Sequence, residues 1–376
     1  MSVNKALTAG IEARDTYLDL VRVTCVLTIV GMHWLTARAW AGQDRIGAVN
    51  VLDEMPQLAV LGWLFMVCPM LMFVGGAANY RSYLRSRDAT EFLARRARRL
   101  LVPISLFAAF WMAVELVLHA LDLGGDGIFR WVGWRGVLPF GPLWFIGVYL
   151  VLVALTPVTA TLHQRWGAAV TVTISVGTIC VDLARFLLDI PLIGWLNLVL
   201  AWLVPYQLGH GYATDRERMT SGRTAVLLSL TGLTGLILLA GTGWYPVGIG
   251  GTPGDRFSNM SPPTVCITAL SLWQVGLVLL GSRHGTALMA RPRVAVAVTR
   301  LNSATMTIYL WHMTAMLLGL VVLLPLGVAD NAGTTIGWLA ERPAWFALDA
   351  VCLVLLVRLF GPAEWRRRPT GPQWSR

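Results

Sequence analysis

Residues 17–37 read YLDLVRVTCVLTIVGMHWLTA, a run long and apolar enough to cross the roughly 30 Å hydrocarbon layer of a bilayer as one helix. Two residues break its character. Arg22 and His33 are eleven positions apart, and at about 100° per residue they return to within about 20° of one face, roughly 16 Å apart along the axis. An ionisable group held in hydrocarbon is costly, so a span that keeps two of them carries a candidate functional site. Asp19 stands three residues before Arg22, where an i, i+3 ion pair offsets the cost of burying the guanidinium.

The rest of the chain has the same composition. Of 376 residues, 56% are hydrophobic and only 13% charged, and the mean hydropathy is +0.63, outside the range of soluble domains. Apolar runs near twenty residues predict spans at about 17–37, 57–79, 101–120, 142–160, 167–186, 192–212, 222–243, 263–281, 301–327 and 343–360. The expected fold is all-α: a polytopic integral membrane protein with about ten transmembrane helices. It forms one membrane domain over 1–376, with short tails at about 1–16 and 361–376. The first sixteen residues carry Glu12, Arg14 and Asp15 without the short apolar stretch and small-residue cleavage site of a secretory signal, so the first apolar run is expected to remain as a helix.

Positive charge orients this topology. Of the thirty Lys and Arg, 21 fall in segments on the side that holds the N-terminus and six on the opposite side. Arg22, Arg185 and Arg358 lie within spans or at their ends. The positive-inside rule then puts both termini in the cytoplasm, with Arg22 near the inner boundary and His33 in the outer half. The net charge of +10 follows from this topology and does not point to nucleic acid, because the basic residues cluster beside apolar spans. The longer loops near 38–56, 121–141 and 244–262 are rich in Gly, Trp and Pro, the composition of lids or of interfacial anchors.

Further residues invite a chemical reading. Cys25, Cys68, Cys180, Cys266 and Cys352 sit in separate apolar runs with no CxxC or Cys/His spacing, as buried small hydrophobes do, and no metal is expected. Arg95, Arg96, Arg98 and Arg99 form the densest positive run. They suit topology and anionic lipid, and equally phosphate, which guanidinium forks match bidentately. Gly75 and Gly76 remove bulk at the end of the second span, for close helix approach or for a narrow substituent. Glu115 with His119, and Asp182 with Arg185, are spaced as intramembrane or boundary pairs. Tyr309 and His312 lie on adjacent turns of the ninth span. No GxSxG, P-loop, HExxH or GxGxxG occurs in a suitable context.

In order along the chain, Arg22-x10-His33, FVGG ending at Gly76, Arg95-Arg96-x-x-Arg99 before LLVP, LWFIGVYLVLVALTP from Leu143 (with Trp144), and IYLWH ending at His312 resemble the membrane-bound acyltransferase family 3. These are multi-pass bacterial proteins that O-acylate sugars, polysaccharides and some natural products. The resemblance covers nearly the whole chain. It implies that His33 and Arg22 are needed for activity and that Arg95, Arg96 and Arg99 help receive acyl-CoA as the donor substrate, with no bound cofactor. It also implies a place in the bacterial plasma membrane. Asp19, Gly75, Gly76, Trp144, Tyr309, His312 and Glu115 are expected to support the site. Members often have Ser-Gly-Phe where this chain has Gly75-Gly76-Ala77, which bears on acyl fit, and the fused esterase-like domain of some members has no counterpart in residues 1–376.

The expected activity is therefore transfer of an acyl group from cytoplasmic acyl-CoA to a hydroxyl of an extracytoplasmic glycan, lipid-linked sugar or metabolite. Neutral His33 would serve as general base, and Arg22, too far along the helix to touch the same atom, would orient the donor or pair with Asp19. The alternative is a proton-coupled secondary transporter, since ten spans with buried ionisable residues also suit export.

Overall fold

In lipid every backbone N–H and C=O must find its partner within the protein, and a chain of separate apolar runs meets that demand by helix formation. The computed structural model describes residues 15–41, 46–50, 59–121, 140–141, 143–250, 255–323 and 335–365. Much of the Gly- and Trp-rich loops expected as lids, and most of both tails, lie outside the described residues.

Helix α1 (Thr16–Thr36) leads into the strands β1 (Ala37–Ala41) and β2 (Ile46–Asn50), followed by α2 (Leu61–Phe65), α3 (Cys68–Leu84) and α4 (Ala89–Ala120). Helices α5 (Leu143–Trp166) and α6 (Ala168–Leu187) follow, and a 3₁₀ turn at Pro191–Leu196 enters α7 (Asn197–Thr214). After the short α8 (Arg216–Met219) come α9 (Gly222–Gly241), α10 (Val265–Leu280), α11 (Ser282–Met289) and α12 (Pro292–Ser303). The last are α13 (Thr305–Leu323), α14 (Thr335–Phe360) and α15 (Pro362–Trp365). Among the described residues, nine helices are long and apolar enough to cross a membrane, and up to ten if α10 and α11, bent by 50°, are one span. The chain is a multi-pass membrane protein of helical fold.

Three features depart from the sequence expectation. The second span is two helices, because α2 stops at Met66 and α3 restarts with Pro69 in its first turn, where the missing N–H costs nothing. The third begins at Ala89, well before its apolar run, since Arg and Ala are strong helix formers and carry the helix through the charged segment. The expected loop after α1 contains an antiparallel hairpin, with Ala37 opposite Asn50 and Ala41 opposite Ile46. Five-residue strands of mostly small residues give too short an alternation to be legible.

Contacts divide the described chain into two compact units. The first comprises the described residues within 1–25, 52–94 and 145–302, the second those within 26–51, 95–144 and 303–376. Within the first, α3 and α7 cross backbone to backbone on glycine. A Cβ at Gly76 would enter the space of the Tyr206 carbonyl, and one at Gly209 that of the Phe73 carbonyl. The same crossing buries a polar network: Asn79 Nδ2 donates to the hydroxyls of Tyr149 (3.0 Å) and Tyr206 (2.8 Å), and the Tyr206 hydroxyl meets Thr156 Oγ1 at 2.6 Å. Asp182 does not form the expected pair with Arg185. Its carboxylate accepts from Asn197 Nδ2, the Tyr245 hydroxyl and the Val265 amide and so caps α10, where a negative charge meets the positive end of the helix dipole. The Arg185 guanidinium lies over the rings of Phe186 and Phe257.

In the second unit, Trp311 of α13 lies face to face on Phe360 of α14 with centroids 3.9 Å apart, and meets Phe107 and Phe110 of α4 edge-on, the geometry that aromatic quadrupoles favour. Trp111 Nε1 donates to Thr314 Oγ1 at 3.3 Å. Glu364 of α15 caps α13 by accepting from the Thr307 amide (3.0 Å) and hydroxyl (2.7 Å). Burial pushes the Glu364 carboxyl above the usual range, opposed by those hydrogen bonds and by the Arg99 guanidinium.

The crossing of α3 and α7 predicts that Gly76→Ala lowers the thermal midpoint in detergent, because overpacking there costs about 1–3 kcal/mol or more. Gly147→Ala, where an added Cβ meets nothing within 4 Å, should leave it near the wild-type value; equal midpoints for the two variants would contradict the crossing.

Candidate active site

The last turn of α1 lifts His33 toward α13. There His33 Nδ1 lies 3.0 Å from His312 Nε2, the rings inclined by 24° with centroids 5.1 Å apart. His312 is fully buried and is held by two further bonds. Its Nδ1 lies 2.6 Å from the Tyr309 carbonyl, and its own carbonyl accepts the Trp34 indole N–H at 3.1 Å. Adjacent α1 residues therefore grip the same α13 residue, one through its side chain and the other through its backbone. Tyr309 is buried, with its ring 5.8 Å from that of His312.

A third helix closes this arrangement. Arg342 of α14 donates from one nitrogen to the carbonyls of Trp34 (3.2 Å) and Ala37 (2.7 Å), the positions where a helix end leaves carbonyls unsatisfied. A cation there also meets the negative end of the α1 dipole. Its guanidinium lies over the rings of Trp338 and Trp345 at 5.3 and 5.5 Å. The Trp34 ring meets Phe346 edge-on. The turn that carries His33 is thus fixed from α13 on one side and from α14 on the other.

Arg22 belongs to a separate cluster in the first unit. Its guanidinium is 3.5 Å from Asp19 Oδ1, the i, i+3 pair anticipated from the spacing. Both are joined to Asn302 of α12, whose Oδ1 accepts from Arg22 at 3.2 Å and whose Nδ2 donates to Asp19 at 2.6 Å. The amide satisfies one member of the pair from each of its ends, which suits an ion pair taken out of water. Just before α1, Asp15 lies 3.4 Å from Arg81 and 3.7 Å from Arg216 and accepts from the Tyr212 hydroxyl at 3.0 Å.

Other anticipated residues fall in varied places. Arg95, Arg96 and Arg99 lie on the N-terminal part of α4 within an arc of about 100°, Arg95 and Arg99 exposed and Arg96 half-buried. They share the second unit with the histidine pair. Trp144 is exposed at the start of α5. Glu115 is half-buried one turn beyond Trp111 on α4. Gly75 and Gly76 do not border an open slot: the space beside Gly75 holds the Tyr149 ring, and that beside Gly76 the Tyr206 backbone. Close helix packing accounts for both, so the narrow-substituent reading has no support there.

Asn302 and Arg342 carry little signal in the sequence as site residues. Asn302 is one polar residue at the end of an amphipathic helix, and Arg342 reads as boundary charge. For Arg342 the sequence signal was WLAERPAW, a cation between two tryptophans on one helix face at i, i+4 and i+7.

A paired imidazole at a helix contact can accept and return a proton without bringing a permanent charge into hydrocarbon. The model of the acyltransferase domain of acyltransferase family 3 matches residues 15–361, nearly the whole chain. No curated protein and no solved structure matches it. The matched region contains the described residues of every membrane helix, the histidine pair and the Asp19, Arg22 and Asn302 cluster, and on that extent the chain belongs to acyltransferase family 3.

Proposed function

We propose that this membrane acyltransferase is an acyl-CoA-dependent O-acyltransferase of the bacterial plasma membrane. It takes the acyl group on the cytoplasmic side and delivers it to a hydroxyl of an extracytoplasmic carbohydrate, a lipid-linked sugar or a glycosylated natural product. The observation that carries this reading is the contact between His33 and His312 on two spanning helices of a family member. The excess of Lys and Arg on the side of the N-terminus supports the cytoplasmic entry.

The acyl donor's phosphates meet Arg95, Arg96 and Arg99, whose forks suit them, and the pantetheine arm runs toward His33 within the second unit. The acceptor hydroxyl arrives from the opposite face. His33 removes its proton as the oxygen attacks the thioester carbonyl, a contribution of about 10²–10⁴ in rate. Collapse of the tetrahedral intermediate breaks the C–S bond, and the proton passes to the departing sulfur. A thioester is already activated, so the transfer consumes no further energy source. Arg22 is held in place by Asp19 and Asn302.

Purified protein should release free thiol from acyl-CoA only when a hydroxylated acceptor is present, and His33→Ala should abolish release while remaining monodisperse in detergent. Flux driven by a pH gradient without thiol release would replace this reading with transport. Changing Arg95, Arg96 and Arg99 together to Gln should raise the apparent KM for acyl-CoA about tenfold or more with kcat little changed; an unchanged KM would remove them from the donor site.

A further inference from the structure

The histidine contact has a direction that identifies the reacting atom. A carbonyl oxygen only accepts, so the 2.6 Å contact between His312 Nδ1 and the Tyr309 carbonyl requires the proton to sit on Nδ1. With both rings neutral, the state that an apolar interior favours, Nε2 of His312 then carries a lone pair. That lone pair faces His33 Nδ1 at 3.0 Å, so Nδ1 of His33 must be the donor. The proton of His33 is thereby assigned to Nδ1, and its free lone pair lies on Nε2, the atom on the far side of the ring.

We infer that His312 is a positioning residue that locks His33 in the Nδ1–H tautomer and so makes His33 Nε2 the general base, in a chain running from His33 through His312 to the Tyr309 carbonyl. The role of base rests on the acyl-transfer reading; the tautomer assignment does not. The order of donors matches the logic by which a third group orients a catalytic histidine, with a neutral ring and a backbone carbonyl in place of a carboxylate.

The reaction follows the chain atom by atom. The acceptor O–H proton moves to His33 Nε2 as the C–O bond forms, and His33 becomes an imidazolium whose Nδ1–H bond to His312 is now charge-assisted and stronger. Loss of the thiolate breaks the C–S bond, the same proton moves from Nε2 to sulfur, and His33 returns to its starting tautomer. His312 touches neither substrate. Three bonds keep it in register: its Nδ1–H to the Tyr309 carbonyl, its Nε2 to His33, and its carbonyl to the Trp34 indole. A substitute that keeps an acceptor at the ε position preserves the chain, whereas one that keeps only ring size breaks it.

The test is ¹⁵N NMR of the histidine-labelled full chain in lipid nanodiscs, with His33 assigned by its absence from the His33→Gln spectrum. The same preparations are assayed for acyl transfer. Wild-type His33 should show a protonated Nδ1 and a bare Nε2. His312→Phe should lose that signature and about 10²-fold or more in kcat at similar KM, while His312→Gln, whose amide oxygen can accept, should retain the tautomer and recover most of the rate. A wild-type His33 protonated on Nε2, or a His312→Phe enzyme at full kcat, would overturn the inference. If His312→Phe does not fold, the wild-type spectrum and the His312→Gln rate decide alone. Wild-type protein that transfers no acyl group would refute the proposed function, and the spectrum would still decide the tautomer.

Discussion

One hydrogen bond between two imidazoles inside the membrane holds the account together. His33 is carried by a helix near the start of the chain and His312 by one near its end, 279 positions later. In water such a contact would be worth little, since each nitrogen would exchange it for a solvent bond. His312 is fully buried and has no such option, so its ring nitrogens would bear their desolvation cost if this bond and the one to the Tyr309 carbonyl were not made. The surrounding bonds serve this one. Trp34 ties α1 to the His312 backbone, Arg342 ties the end of α1 to α14, and Trp311, the neighbour of His312, is wedged between Phe360 and the aromatic face of α4.

Polar chemistry elsewhere on α1 obeys the same constraint. Arg22 is a permanent charge, and it appears with a carboxylate one turn away and an amide that serves both. His33 needs no counter-ion, because an imidazole can be neutral and still present one donor and one acceptor. One helix thus carries two kinds of polar group in two kinds of setting, the first in a unit with α12 and the second in a unit with α13 and α14.

Much of this was legible in the sequence, and the boundary is physical. Spans follow from hydrophobic length, and the relation of Asp19, Arg22 and His33 along α1 follows from helical periodicity, both local properties. The partners that complete each cluster are remote in the chain, Asn302 for Arg22 and His312 for His33, and no periodicity encodes which helix faces which. The order of motifs marked IYLWH as part of the site without saying that its histidine meets His33. Gly75 and Gly76 show the converse. Their small size was visible, but whether the space beside them was open or filled depended on Tyr149 and Tyr206, far along the chain. The hairpin after α1 leaves almost no alternation to read, because its strands are five residues long and rich in Ala and Gly.

Whether the acyl group meets His33 is tested most directly by a cryo-EM structure of the full chain in nanodiscs with a non-transferable thioether analogue of acetyl-CoA that keeps the carbonyl. The adenine and phosphates should lie against Arg95, Arg96 and Arg99. The carbonyl carbon should lie within about 6 Å of His33 Nε2, room for one acceptor hydroxyl between base and electrophile. An analogue bound with its acyl end remote from His33, or facing Nδ1 with the His312 contact broken, would contradict the proposed role of His33.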